Sequence, residues 1–262
     1  MATRNRALSL VTAAILLLPI CHTVHILETC GFDSIYQLGD SVSDTGNLIR
    51  ENPSSVYAKL PYGETYFNNA TGRCSNGLIM IDYFARSAGL PFLDAYLNEN
   101  ASHGSGVDFA VAGATALSVE ILSERESLVT VPDDWSYQET SRQDLNNLSI
   151  YHNTHLKKAL ETLRKEHPNV IIVYGDIYEA YNWILSDAKI LGFDAESIQR
   201  ACCGIGGDYN FNITKMCGVS GVPVCSNPDK SLSWDGAHLT QQAYKFMARW
   251  LIYDIYPKLQ CQ

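Results

Sequence analysis

The chain passes from an apolar run into a polar turn at Ile35-Tyr36-Gln37-Leu38-Gly39-Asp40-Ser41-Val42-Ser43-Asp44-Thr45-Gly46-Asn47. A short apolar run closed by a glycine predicts a buried strand over 35–39 that ends in a turn. Ser41 then lies at the mouth of this strand. Far along the chain, Trp234-Asp235-Gly236-Ala237-His238 carries an Asp-x-x-His spacing. The two stretches predict where the chemistry of the protein lies.

A serine combined with a distant Asp-x-x-His supplies the groups that a serine esterase needs. A serine hydroxyl is a weak nucleophile until a base removes its proton, and that base must itself be oriented. We expect Ser41 to be the nucleophile, His238 the base and Asp235 its support, since such triads are recognised by geometry and not by chain order. Taken alone, each motif has an ordinary interpretation: Asp235 as a helix N-cap beside a surface histidine, and Gly-Asp-Ser as a turn.

An acyl-transfer site also needs donors for the developing oxyanion. The backbone N–H of Ser41 is one natural donor. A second predicted strand, Val107–Ala112, ends at Gly113, whose lack of a Cβ would let its backbone approach a substrate. The alternative is that Gly113 is an ordinary turn glycine. The sequence contains no Gly-x-Ser-x-Gly elbow and no His-Glu-x-x-His motif, which disfavours an α/β-hydrolase elbow and a zinc protease of that kind.

The remaining pattern alternates strands with helices. We expect a buried strand over Val170–Tyr174 and irregular polar chain over 50–76 and 123–144. Helical spacing predicts helices over 77–88, 148–166, 177–190 and 240–255, with a further helix beginning over 114–122. Short continuous apolar strands between helices are typical of a parallel sheet covered on both faces, so the fold class is α/β.

Composition limits the possible partners. The chain has 262 residues, of which 46% are hydrophobic, a formal net charge of −9 and a mean hydropathy of −0.08. This length suits a single domain with one good core. Lys and Arg are not concentrated in any stretch, so a nucleic-acid partner is disfavoured.

The N-terminus has the layout of a secretory signal peptide. Arg4 and Arg6 precede an apolar stretch over 7–20, which is too short to span a bilayer as a helix. We expect residues 1–24 to be the signal and 25–262 a single hydrolase domain; the alternative is a membrane anchor or a buried helix. Four Asn-x-Ser/Thr sequons agree with secretion, and they predict glycosylation at Asn69, Asn100, Asn147 and Asn212.

The cysteines also agree with an oxidising compartment. Cys202, Cys203, Cys217 and Cys225 cluster, as disulfide partners do in secreted proteins. Zinc binding is the competing interpretation, but adjacent Cys202 and Cys203 lack the C-x₂-C ligand spacing. If Cys21 leaves with the signal, seven of the eight cysteines remain, and one has no partner.

These residues resemble a known family, the plant GDSL esterase/lipases of the SGNH hydrolase superfamily. The motifs that carry the resemblance are Gly39-Asp40-Ser41, Asp44-Thr45-Gly46-Asn47, Val107–Thr115 and Trp234–Thr240. Two further segments, 33–41 and 201–210, are most similar to the acetylajmalan esterase-like members. The resemblance covers about residues 30 to 122 and 145 to 260.

The resemblance implies a flavodoxin-like three-layer α/β/α sandwich of the SGNH hydrolase type, with parallel strands in the order 2-1-3-4-5. It implies Ser41 as the nucleophile, His238 as the base, Asp235 as its support, and Ser41 with Gly113 as oxyanion donors. It also implies a small-molecule ester substrate, no cofactor and no metal. We expect a monomer that is secreted or vacuolar, without stable membrane insertion after signal cleavage.

The sequence departs from the family in its middle. The family has a Gly-Asn-Asp block after the second strand, whose Asn is a third oxyanion donor, and then another strand ending in a Pro-x-Gly-Cys turn. This chain has neither, so it is internally shortened around 119–146 and is expected to lack one or two central strands. We therefore expect the strand over 170–174 to pair with 35–39. The alternatives to an active hydrolase are a catalytically impaired truncated isoform or incomplete gene model, and an acyltransferase that uses the same serine.

Overall fold

The computed structural model describes residues 23–115 and 139–261. Its regular elements are two strands, β1 (Ile35–Gln37) and β2 (Gly106–Asp108), and the helices α1 (Asn47–Glu51), α2 (Met80–Ser87), α3 (Glu139–Glu166), α4 (Ile177–Asp187) and α5 (Gln241–Ile255). Short 3₁₀ turns connect them, beginning with a kinked one at Thr23–Cys30. A small parallel sheet with helices makes this an α/β fold.

β1 and β2 are parallel neighbours, with Ile35 opposite Gly106 and Gln37 opposite Asp108. Their hydrogen bonding continues beyond the strand ends, because the Val111 amide donates to the Gly39 carbonyl at 3.2 Å. On the other side of β2, Ala95 forms a single parallel bridge to Asp108. The predicted strands over 35–39 and 107–112 are therefore confirmed in position, although both are shorter than predicted and Tyr36 is 63% exposed.

Three helices build the main core. Side chains of α5 are buried at positions 243, 244, 247, 248, 251 and 252, the spacing of one helical face, and they pack on α2 and α4. Thr240 caps α5, since its hydroxyl accepts from the Ala243 amide and donates to the Ser231 carbonyl. This cap fixes the start of α5 two residues after His238. The helices predicted over 77–88, 177–190 and 240–255 are confirmed with slightly narrower bounds.

The predicted strand over Val170–Tyr174 is wrong. Within the described residues this segment makes no β pairing, and Val170 and Ile171 are 57% and 55% exposed. Its pairing with 35–39 is wrong as well. A strand is stable only beside a partner, and the described residues supply none next to this segment. Instead, α3 holds it through the Arg164 guanidinium, which donates to the Ile172 carbonyl at 2.9 Å.

Other predictions differ in extent or lie outside the described residues. α3 begins at Glu139, nine residues before its predicted start at 148. The signal over 1–24 falls almost entirely outside the described residues, as do the helix over 114–122 and most of the shortened region over 119–146.

Disulfides tie the described chain together at three places. Cys30 pairs with Cys261, Cys202 with Cys225, and Cys203 with Cys217. These pairs confirm the disulfide prediction for the cysteine cluster. Among the described residues, Cys74 is a buried free thiol. In the two described ranges, no helix has both the length and the apolar character needed to cross a membrane.

Candidate active site

Asp235 and His238 form a buried pair. The His238 Nδ1 lies 2.7 Å from Asp235 Oδ2, and the two residues are 6% and 2% exposed. The other carboxylate oxygen, Oδ1, accepts the backbone amides of His238 at 2.7 Å and Ala237 at 3.0 Å. Because Nδ1 is held by the carboxylate, the nitrogen available to a serine hydroxyl is Nε2.

A tight loop produces this pair. The Trp234 amide donates to the His238 carbonyl at 2.7 Å, which closes the loop that contains both residues. Gly236 has φ +95°, a conformation that favours glycine, and a Cβ there would run into the Phe211 ring. Both features make the Asp-x-x-His spacing a local structural unit.

The disulfide-rich segment clamps the loop from outside. The Cys202 amide donates to the Ser233 carbonyl at 3.0 Å, and the Cys203 amide to the Trp234 carbonyl at 2.7 Å. Each of these cysteines is covalently tied to a second cysteine within 23 residues. The backbone that precedes Asp235 is therefore held by a cross-linked segment.

Ser41 and Gly113 lie at the same end of the small sheet. Gly39 and Val111 are joined by a backbone hydrogen bond, and each candidate residue lies two positions further along its chain. The carboxyl ends of parallel strands meet at one edge, where ligands bind in open α/β sheets. Gly113 is exposed with φ +89°, and none of the described residues places an atom within 4 Å of where its Cβ would be, its two chain neighbours aside.

Asp44 and Asn47 fasten the Ser41 turn to the β2 side. Asp44 Oδ2 accepts the Ala112 amide at 2.8 Å, and Oδ1 accepts the amides of Gly46 and Asn47. The Asn47 side-chain amide donates to the carbonyls on either side of Phe109 at 2.9 and 2.8 Å. Both side chains are fully buried. The Asp-x-x-Asn spacing thus has a structural role beside the candidate nucleophile.

One segment joins the two parts of the site. Arg73 makes a buried, two-pronged ion pair with Asp82 at 2.7 and 2.8 Å, and its Nη1 reaches the Thr45 carbonyl at 3.3 Å. Two residues later, the Ser75 hydroxyl donates to the Leu239 carbonyl at 2.9 Å, next to His238. Residues 73–75 therefore bridge the Ser41 turn and the His238 loop.

The free thiol of Cys74 belongs to this bridging segment, between Arg73 and Ser75. Burial raises the pKa of Cys74, and the charges of Asp235, Asp44 and Asp40 raise it further. Within the described residues, however, no hydrogen bond joins the Ser41 hydroxyl to His238. Catalytic hydrogen bonds are often long before a substrate binds.

Two buried carboxylates of the site differ in pKa. Burial opposes the charge of Asp235, but the hydrogen bonds and charge of His238 lower the pKa of Asp235 below its ordinary value. Burial instead raises the pKa of Asp108, although amide donors from Ala110 and Thr45 oppose that shift. Of these two carboxylates, Asp235 is therefore the one that loses its proton more readily. The partner of a protonated imidazole must be charged in this way.

The four sequons lie on accessible chain. Asn69, Asn100 and Asn147 are exposed, and Asn212 is partly exposed. Asn212 Oδ1 accepts both the amide and the hydroxyl of Thr214, at 2.9 and 2.8 Å. Asn69 and Asn100 line one cavity of about 610 Å³.

Sequence reasoning missed one residue of the site, Tyr62. Its hydroxyl donates to Asp235 Oδ2 at 2.8 Å across 173 positions of the chain. No local spacing indicates such a contact, because it depends on how the long segment after α1 folds back. The sequence also does not indicate that Asp44 and Asn47 join the Ser41 turn to the β2 side, although both belong to a motif that carries the family resemblance.

Comparisons with known proteins agree with the geometry. A family model described as GDSL-like Lipase/Acylhydrolase matches residues 35–141 and 129–251. Acetylajmalan esterase 1 of Rauvolfia serpentina is 33% identical over 336 aligned positions, covering 88% of this chain and 89% of that protein. Acetylajmalan esterase 2 of the same plant is 33% identical, with 90% and 93% covered. A GDSL esterase/lipase of Arabidopsis thaliana is 31% identical, with 84% and 86% covered.

The length of these alignments carries information. The alignment with acetylajmalan esterase 1 has 336 positions, which is more than the 262 residues of this chain. Part of that relative therefore has no counterpart here, although both chains are covered over most of their length.

Proposed function

The chain belongs to the GDSL-like lipase/acylhydrolase family and is a carboxylic ester hydrolase of that family, and we propose that Ser41, His238 and Asp235 are its catalytic triad. The observation that carries this proposal is the buried Asp235–His238 pair, which leaves Nε2 of the imidazole available to a serine hydroxyl. The relatives are named esterases, so neither an isoform without catalysis nor an acyltransferase is favoured.

The proposed reaction proceeds in two steps through an acyl-enzyme. Ser41 Oγ attacks the ester carbonyl carbon while its proton moves to His238 Nε2, and that proton then leaves with the alcohol as the C–O bond breaks. Water, deprotonated by the same imidazole, attacks the acyl-serine and releases the acid and Ser41. Asp235 keeps the imidazole oriented and offsets its positive charge.

The oxyanion donors proposed here are the backbone N–H groups of Ser41 and Gly113. The exposure of Gly113 and the hydrogen bond that aligns the two strand ends support this pairing. The internal shortening proposed around 119–146 would remove the third donor, the Asn of the family's Gly-Asn-Asp block. Loss of one such donor costs about 10²–10³ in kcat, so we expect a slower enzyme than a full-length relative.

The biological setting is also a proposal. We propose a monomer; the disulfides and accessible sequons support a glycosylated protein that is secreted or vacuolar after removal of residues 1–24. We propose one domain over 25–262, derived from the three-layer sandwich by loss of central strands. The names of the Rauvolfia relatives support a small acyl ester of a plant metabolite as the substrate class.

Hydrolysis of p-nitrophenyl esters of increasing acyl length tests the function. We expect the purified full chain to cleave the acetyl ester fastest, and Ser41→Ala to lose all activity above background. Ser43→Ala is the matched control, because this hydroxyl is two residues away and contacts only the Gln37 side chain at 3.1 Å. Equal rates for the wild type and Ser41→Ala would remove Ser41 from the mechanism.

A further inference from the structure

The carboxylate of Asp235 has one partner that does not come from its own loop. Its Oδ2 accepts two hydrogen bonds, from His238 Nδ1 at 2.7 Å and from the Tyr62 hydroxyl at 2.8 Å. Its Oδ1 is occupied by two backbone amides of the loop. The phenol is thus the single contact among these four that reaches Asp235 from a distant part of the chain.

Packing holds the Tyr62 ring in place. The side chain is fully buried, and its ring stands edge-on to Trp234 at 6.3 Å and to Tyr57 at 4.9 Å. Tyr57 in turn stands edge-on to the His238 ring at 5.8 Å. The disulfide-bonded Cys202, Cys203 and Cys217 belong to the same buried cluster. The ring is therefore held while its hydroxyl points at the carboxylate.

The phenol stays protonated, so it acts only as a donor to the anion. Burial raises the pKa of Tyr62, and the charge and hydrogen bond of Asp235 raise it further. The neighbouring Tyr57, Cys74 and Tyr244 are also neutral, because burial raises the pKa of each. Besides Asp235, the charged groups that raise the pKa of Cys74 are the carboxylates of Asp40 and Asp44, near the Ser41 turn.

We propose that Tyr62 is a positioning residue of the active site, which fixes the Asp235 carboxylate and shares its Oδ2 with the imidazole. A hydrogen bond from Tyr62 withdraws negative charge from the oxygen that faces His238. The phenol therefore limits how strongly the carboxylate favours the protonated imidazole. It also prevents the carboxylate from rotating away from Nδ1. This inference rests on the proposed function of Asp235 and His238.

Tyr62→Phe tests the proposal, since it keeps the ring and removes only the hydroxyl. We expect kcat for p-nitrophenyl acetate to fall about 10-fold to 100-fold, because the carboxylate loses the contact that fixes its orientation toward His238 and small misplacements are costly in rate. KM stays unchanged because the buried Tyr62 cannot touch a substrate. The acid limb of the pH–kcat profile moves to higher pH, because the freed oxygen holds the imidazolium more tightly. A purely structural role for Tyr62 would lower the Tm and leave this limb in place.

A second measurement does not depend on hydrolysis. The ring protons of His238, assigned by their loss in His238→Gln, are followed by NMR against pH in Ser41→Ala, with and without Tyr62→Phe. We expect the midpoint to rise when the phenol is removed. This result separates failure of the proposal from failure of the proposed function, since Ser41→Ala needs no activity.

Tyr244→Phe is the matched control. It also removes a hydroxyl from a fully buried tyrosine beside the same loop, where the Tyr244 oxygen meets the Leu239 backbone, but none of the described hydrogen bonds joins Tyr244 to Asp235. We expect it to leave the His238 midpoint in place. An unchanged midpoint and an unchanged kcat in folded Tyr62→Phe would overturn the proposal, as would an equal shift in both variants.

Discussion

The two parts of the proposed site are built in different ways. The acid–base half, residues 233–239, makes its key contact between side chains three positions apart, at 2.7 Å and under a disulfide clamp. The nucleophile half, residues 39–47 and 108–113, makes its contacts between segments more than 60 positions apart. It places Ser41 through buried polar side chains and a two-stranded sheet.

Because the nucleophile half is built from long-range contacts, it depends more strongly on the rest of the fold than the acid–base half does. A loop closed on itself brings Asp235 and His238 together locally, and its packing partners then fix the orientation of the pair. Ser41 reaches His238 only if the sheet and the bridging segment 73–75 are in place. About 1 Å of misplacement can cost about 100-fold in rate, so the contact between the halves is the sensitive quantity.

The largest effect is expected from breaking the acid–base half. Asp235→Asn keeps the shape of the side chain but places an amide where a carboxylate must orient and offset the imidazole. We expect kcat to fall about 10⁴-fold while the circular dichroism spectrum stays that of the wild type. Residual activity within 10-fold of the wild type would exclude Asp235 from this role.

The next largest effect is expected from breaking the bridge between the halves. Arg73→Met leaves the buried Asp82 without its partner, and removing one partner of a buried pair costs about 3–5 kcal/mol. We expect this loss in the free energy of unfolding from urea titration. The double variant Arg73→Met/Asp82→Leu removes both charges and should recover much of that loss. Equal instability of the single and double variants would contradict this account of the bridge.

The fold shows how far sequence patterns reach. Ile35–Leu38 and Val170–Tyr174 are both short apolar runs after which a turn begins, and both predict strands. Only the first becomes one, because 106–111 lies beside it. An apolar run indicates that a segment can form a strand, but the neighbouring strand that it needs comes from another part of the chain. In this shortened sequence the described residues supply no partner for the second run.

The site was predicted where its chemistry is local. The Asp235–His238 contact follows from a three-residue spacing in a tight loop. The oxyanion role of Gly113 stays a prediction. Tyr62 has no such signal, since its hydroxyl meets Asp235 only after the chain has folded. The sequence also names Ser41 without fixing its distance to His238, which depends on packing between the two halves.

A smaller effect is expected from loosening the nucleophile half alone. Asp44→Asn keeps one acceptor oxygen but replaces the other with an amide that cannot accept the Ala112 amide. We expect kcat/KM to fall about 10-fold, since one hydrogen bond to a charged group is lost and the Ser41 turn loses a tie to the Gly113 side. Asp94→Asn, an exposed neighbour on the same face of the structure, is the control. An equal loss in both variants would indicate a general charge effect.

The smallest effect is a pH dependence that reports on the acid–base half in the absence of substrate. The pKa of Asp235 is lower in the folded chain than its ordinary value of about 3.9, so the folded state binds this proton less tightly than the unfolded state. The stabilisation from ionised Asp235 is therefore fully present above about pH 4 and is lost as the pH falls through the lowered pKa.

Urea titrations of the wild type and Asp235→Asn at pH 7, 5 and 3 measure this stabilisation. We expect the difference in unfolding free energy between the two proteins to be constant from pH 7 to 5 and smaller at pH 3. If the difference stays the same at pH 3, His238 does not stabilise the charged form of Asp235. The acid–base half would then be held together by its loop backbone alone.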